Sequence, residues 1–134
     1  MSTLIIPCEV AVKSVVPSIR AFLAIELVEK HGMKQEKVAE LLGISQSAVS
    51  KYTRKVRGYV IKVDEIPEME PLMETMVSSL VNGTYQRAEL LSSLCQMCKM
   101  IRETGLMCQF CEKADANIKM EECDFCKSFK ISKI

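Results

Sequence analysis

Apolar residues along the first third of the chain recur at helical spacing. Ile19, Phe22, Leu23 and Leu27 share one face of a helix predicted from about Pro17 or Ser18 to His31. Pro17 suits a helix start, where its missing N–H is no loss, and Gly32 suits the stop. Val38, Leu41 and Leu42 predict a second helix of about two turns, from Gln35 to Leu42, with Gly43 placed for a left-handed cap. Ser45 is a natural N-cap for a third helix that reaches about Val56 and is ended by Gly58. Two short helices joined only by Gly43-Ile44-Ser45 make a helix-turn-helix.

Farther along, Tyr59 to Val63 are mostly β-branched and predict a short strand or wing. The acidic, proline-marked stretch from Asp64 to Pro71 reads as a linker into the next helix. Met69, Leu72, Met73, Met76, Val77, Leu80 and Val81 then form an amphipathic stripe ending at Asn82-Gly83, where methionine serves as core filler. Thr84 is placed to cap a further helix running to about Thr104 and stopping at Gly105. Cys95 and Cys98 fall on its apolar stripe with Leu91, Leu94 and Ile101. Beyond Gly105 the chain has few aliphatic residues and much charge and cysteine, so its order is expected to depend on what the cysteines bind.

The 134 residues are 49% hydrophobic and 26% charged, which suits one compact domain or two very small ones and excludes general disorder. No apolar run is long enough to span a bilayer, and Glu9 and Lys13 interrupt any export-signal core, so a soluble cytoplasmic protein is expected. The net charge of +1 hides a segregation. Residues 1–63 carry ten Lys/Arg against five Asp/Glu, a formal +5, and residues 64–134 carry eight against twelve, a formal −4. From Leu41 to Val63 there is no acidic residue, while Lys51, Arg54, Lys55, Arg57 and Lys62 all occur, so a polyanion is the expected partner.

The third helix has the two faces that a recognition helix requires. Val49, Tyr52, Thr53 and Val56 lie on one side at i, i+3, i+4 and i+7, and Ser47, Ser50, Lys51 and Arg54 on the other. Small polar residues early in such a helix can approach base edges, and the longer Lys51 and Arg54 can reach phosphates. Gln46 adds an amide able either to pair with adenine or to hold a phosphate oxygen. An alternative is that this polar face is merely solvated. The two-turn helix, the glycine turn, the N-cap and the acid-free basic stretch together favour double-stranded DNA.

The stretch VVPSIRAFLAIELVEKHGMKQEKVAELLGISQSAVSKYTRKVRG resembles the helix-turn-helix of archaeal transcriptional regulators of the λ-repressor-like (Xre) class. The resemblance covers about residues 7–58, under half the chain, and the Pro7-Cys8-Glu9 start is similar to the same group. It implies a compact helical DNA-binding domain used as a homodimer on a pseudo-palindromic operator. It also implies a phosphate contact for Gln35 and base reading for Gln46, Ser47 and Ser50, with Lys51, Arg54 and Lys55 beside them. Regulators of this class often continue into a ligand-sensing or cysteine-bearing domain, and this chain resembles the cysteine-bearing sort.

Six of the seven cysteines form three Cys-x-x-Cys pairs: Cys95/Cys98, Cys108/Cys111 and Cys123/Cys126. Two thiolates at i and i+3 share one side of a helical turn or tight loop, and two pairs complete a tetrathiolate site. Nine residues separate the first two pairs and eleven the last two, so either adjacent combination can supply four ligands. Lys99, Glu112 and Lys127 stand where a zinc knuckle usually has glycine, and Met97, Phe110 and Phe125 inside the pairs can shield a cluster. An iron–sulfur cluster, [4Fe–4S] favoured, is therefore expected, with structural zinc as the alternative. Cys8 stands alone and is assigned to packing, with a distant metal ligand as the lesser alternative, and His31 to a surface position at a helix end.

The expected architecture is mainly α: a helix-turn-helix DNA-binding domain over residues 1–62, then amphipathic dimerisation helices and a small cysteine-rich metal-binding region over residues 63–134. The expected function is transcription regulation in which the cluster senses redox or iron state, with no enzymatic activity, small-molecule substrate or membrane. A thiol-exchange enzyme is disfavoured, because the strand–helix alternation and electropositive helix start that lower a thiol pKa are missing from the pattern.

Overall fold

The computed structural model describes residues 6–54, 61–114 and 126. Among these the chain is mainly helical and contains no strand. Helices α1 (Pro7–Lys13) and α2 (Val15–Ile25) open it, and α2 continues as a π-helical turn, Glu26–Lys30. Helices α3 (Gln35–Leu42) and α4 (Gln46–Thr53) follow. After two 3₁₀ turns, Val63–Glu65 and Pro67–Met69, come α5 (Glu70–Asn82), α6 (Arg87–Glu103) and α7 (Cys108–Ala114).

The first predicted helix begins earlier than its proline suggested, and a separate helix precedes it. Pro17 is the third residue of α2, still within the turn whose N–H groups have no intrahelical acceptor, so it does not mark the boundary. Ser14 does. Its backbone (φ −124°, ψ −59°) leaves the helical region between α1 and α2, while its N–H and Oγ both donate to the Val10 carbonyl, at 3.0 and 2.7 Å. The predicted buried face of α2 holds for Ile19, Leu23 and Leu27, and Phe22 is only half-buried.

Helix α3 has the predicted bounds. It ends in a left-handed Gly43 (φ +68°), after which the Ile44 N–H donates back to the Ala39 carbonyl at 3.0 Å, the bond pattern of a Schellman stop. The Ser45 hydroxyl accepts from the Ala48 N–H at 3.1 Å and starts α4. Helix α4 ends at Thr53 rather than near Val56. Residues 55–60, which include Lys55, Val56 and Gly58, lie outside the described residues.

The predicted strand does not form in its described part. The Ile61 N–H donates to the Ser18 Oγ at 3.1 Å and the Val63 N–H to the Ile61 carbonyl at 3.0 Å, so neither is offered to a ladder. The segment predicted as a linker is packed instead. Ile66 and Met69 within it are buried, as is Val63 just before it, at a spacing of three, the repeat at which 3₁₀ side chains eclipse. Thr84 does not cap α6, which begins only at Arg87; its N–H instead donates to the Ser79 carbonyl at 3.1 Å and closes α5 behind the left-handed Gly83. Gln86 occupies the N-cap of α6 without a side-chain bond.

One contiguous core joins both halves of the chain: Val15, Ile19, Leu23, Leu27, Val38 and Val49 from the first half meet Met69, Met73, Leu80, Met97, Ile101 and Met107 from the second. Helix α2 is its centre, with α1, α4 and α6 all packed against it. The inward stripe of α6 differs from the expected one. Met97 and Ile101 are fully buried, whereas Leu91 is 51% exposed and Cys95 faces solvent. No described helix is long and apolar enough to cross a membrane.

Candidate nucleic-acid interface and thiol cluster

Helix α4 is held by its apolar side and leaves its polar side free. Val49 and Tyr52 are buried against the core, whereas Gln46, Ser47, Lys51 and Arg54 are exposed and Ser50 is half-exposed. The exposed side chains therefore lie along one accessible strip, set at a fixed angle by the Gly43–Ser45 turn. The Ser50 carbonyl accepts from the backbone N–H of Arg54 at 3.1 Å and from its Nε at 3.4 Å, which folds the guanidinium back along α4. Gln35 is half-buried at the first position of α3, where free backbone N–H groups favour an anion. No acidic residue lies within α4.

The described cysteines are spread over four places in the fold. Cys8 is in α1, Cys95 and Cys98 in α6, Cys108 and Cys111 in α7, and Cys126 beyond it. Cys123 lies outside the described residues. Cys8 and Cys95 are exposed, Cys98, Cys108 and Cys126 half-buried, and Cys111 buried. Among the described residues, no three cysteine, histidine or acidic side chains are already arranged to hold a metal ion.

Arg102, one helical turn beyond Cys98, organises part of this set. It is buried, at 8% exposure, and donates from Nε to Cys126 Sγ at 3.4 Å and from Nη1 to Cys8 Sγ at 3.6 Å. Burial works against its charge, but the bonds to the Cys126 and Cys8 thiols outweigh this and raise its pKa. Burial pushes the Cys98 thiol up, opposed by the charge and hydrogen bond of Arg102. Cys8 is thus no packing residue, since its sulfur meets a guanidinium at the edge of the fold. Sequence reasoning passed over Arg102, although its i, i+4 spacing from Cys98 was there to be seen; the approach of Cys8, ninety-four residues away, had no local signal.

Neither a curated protein nor a solved structure matches the chain significantly. A helix-turn-helix family model matches residues 25–58, a span that runs from the end of α2 past α4. The α3–turn–α4 unit is accordingly a helix-turn-helix of the type that DNA-binding transcriptional regulators use.

Proposed function

We propose that the protein is a sequence-specific transcriptional regulator, with residues 1–62 binding double-stranded DNA and residues 63–134 carrying the dimer contact and an iron–sulfur centre. The observation that carries the DNA reading is α4, whose Val49 and Tyr52 anchor it while Gln46, Ser47, Lys51 and Arg54 stand exposed in one strip. In the major groove, Gln46, Ser47 and Ser50 meet base edges, and Lys51, Arg54 and Lys55 meet flanking phosphates. Gln35 at the start of α3 holds a phosphate and fixes the register. A homodimer places two such helices about 34–36 Å apart, one DNA turn. Val81, Tyr85 and Leu91, apolar and 39, 36 and 51% exposed near the α5–α6 turn, are side chains that a second copy would cover.

The donor set fits the proposed metal group by its chemistry. Cys95/Cys98 and Cys108/Cys111 sit at i and i+3 in α6 and α7, soft thiolate donors suited to iron–sulfur ligation, and Cys126 sits beside the buried positive charge of Arg102. Since these thiols are not gathered in advance, binding would draw α6, α7 and the tail together. The group would supply a redox- or iron-dependent charge at that point. Arg102 would offset the negative charge of the thiolates, and Met97 and Ile101, both fully buried, would shield their inner side from water.

The test is an anaerobic purification with absorbance, iron, sulfide and zinc analysis, followed by DNA selection and titration on the same sample. A coloured protein with stoichiometric iron and sulfide, whose operator affinity changes on oxidation, is the expected result. Colourless protein with stoichiometric zinc would replace the sensor by a structural clamp, and salt-insensitive binding would remove DNA as the partner.

A further inference from the structure

A cleft of about 730 Å³ opens between the π-helical turn that continues α2 and helix α5, and neither α4 nor a cysteine contributes to its lining. Small-molecule sites run from about 300 to 1,000 Å³, so the cleft has the room of one. Along its floor Met69, Met73 and Val77 are buried and Phe22 and Ile25 half-buried. Methionine side chains adapt to the shape of what they touch, and such a floor accepts an apolar body. One wall is the π-helical turn itself, a rare geometry that recurs at functional sites. It is held by the fully buried Leu27, whose carbonyl accepts from the Met33 N–H at 3.1 Å. The rim carries charge. Glu26, its side chain 18% exposed, pairs with Lys30 at 3.0 Å. Glu70 and Glu74, one turn apart on α5, line the cleft and act on the same lysine, yet among the described residues neither forms an ion pair. His31 lines the cleft as well; even with it charged, the three carboxylates outnumber the cations by one.

We propose that this cleft binds an amphipathic organic cation, a small molecule with an apolar body for the methionine-lined floor and an amine for Glu70 and Glu74. The floor selects the body, because filling it removes apolar surface from water. The rim selects the sign of the charge. An anion would set its charge among three carboxylates, whereas an amine meets two that have no ion pair of their own among the described residues. The π-helical turn packs on α3 as well as on α5, so an occupied cleft touches the element that carries the helix-turn-helix. The inference stands apart from the metal and DNA readings, since it uses neither the cysteines nor α4.

The test titrates the full chain, labelled with ¹³C at the methionine methyls, with 4-phenylbutylamine and separately with 4-phenylbutyrate, two probes of one shape and opposite charge. The amine is expected to shift the Met69 and Met73 methyls saturably, with a Kd on the order of millimolar or tighter, as suits a ligand of its size. The carboxylate is expected to bind about tenfold more weakly. Met97 and Met107, buried elsewhere in the core, are expected to stay in place. Replacing both exposed acids, Glu70→Gln with Glu74→Gln, is expected to weaken the amine about threefold or more and to bring the two probes closer in affinity. Equal binding of amine and carboxylate would overturn the assignment of charge. Absence of a saturable shift at Met69 and Met73, or equal shifts at all four methionines, would remove the site. Both comparisons are made on the unaltered chain, so they decide the matter even if the double variant folds poorly.

Discussion

At the residue scale, two serines with similar chemistry have unequal consequences. Ser45 caps α4 at a partly exposed site, so Ser45→Ala is expected to cost about 1 kcal/mol, read from the urea unfolding midpoint. Ser18 is buried, and its hydroxyl bridges the Ser14 carbonyl (2.8 Å) and the Ile61 N–H (3.1 Å). Ser18→Ala would leave that N–H buried without its acceptor, at a cost of about 1–3 kcal/mol, so it is expected to be the more damaging change. Lys51 and Gln46 separate by a different measurement. Lys51→Ala should lower affinity for all DNA sequences and make the salt dependence shallower by about one power of salt concentration. Gln46→Ala should instead lose about 1–3 kcal/mol of discrimination between operators and leave the salt slope unchanged.

The elements show which local signals suffice. Helix α3, the Gly43 stop and the Ser45 cap are legible because each needs only its neighbours: a left-handed backbone, a hydroxyl three residues before an N–H, and an apolar face at helical spacing. At Gly43 a Cβ would meet nothing within 4 Å, so the backbone alone sets the penalty. Gly43→Ala is expected to cost about 1–2 kcal/mol in thermal unfolding, and Gly43→Asn less, since asparagine tolerates the left-handed region. Where several local choices compete, neighbours decide. Thr84 is as good a cap for α6 as Ser45 is for α4, yet its N–H completes the stop of α5, and the helix begins later. The face of α6 is less legible, because the expected stripe of Leu91, Leu94, Cys95, Cys98 and Ile101 overlaps a second one, Leu90, Leu94, Met97 and Ile101, at the same helical spacing. Helix α6 packs on α2 and buries Met97 and Ile101 completely, while Leu91 and Cys95 stay exposed.

For the whole molecule, the shared core is the fact that local patterns did not contain. Residues 64–71 read as a linker because they are acidic and hold Pro67 and Pro71, yet Ile66 and Met69 within them, like Val63 just before, are buried in the core that both halves share. Such a core predicts one cooperative unfolding transition by calorimetry, with calorimetric and van't Hoff enthalpies equal. Two separated transitions would mean that the helix-turn-helix and the cysteine-bearing part fold independently.

The sequence by itself determined the helical class, the position of the helix-turn-helix, the charge segregation and the regular cysteine pairs. All four depend on spacing within a few residues or on composition, and both are fully present in a linear chain. Only the tertiary structure decided the face of α6, the burial of Val63, Ile66 and Met69, the bond from Ile61 to Ser18 and the meeting of Cys8 and Cys126 at Arg102. These are contacts between residues up to ninety-four positions apart, and burial of a common apolar surface selects them, so no local period or motif can encode which partner is met.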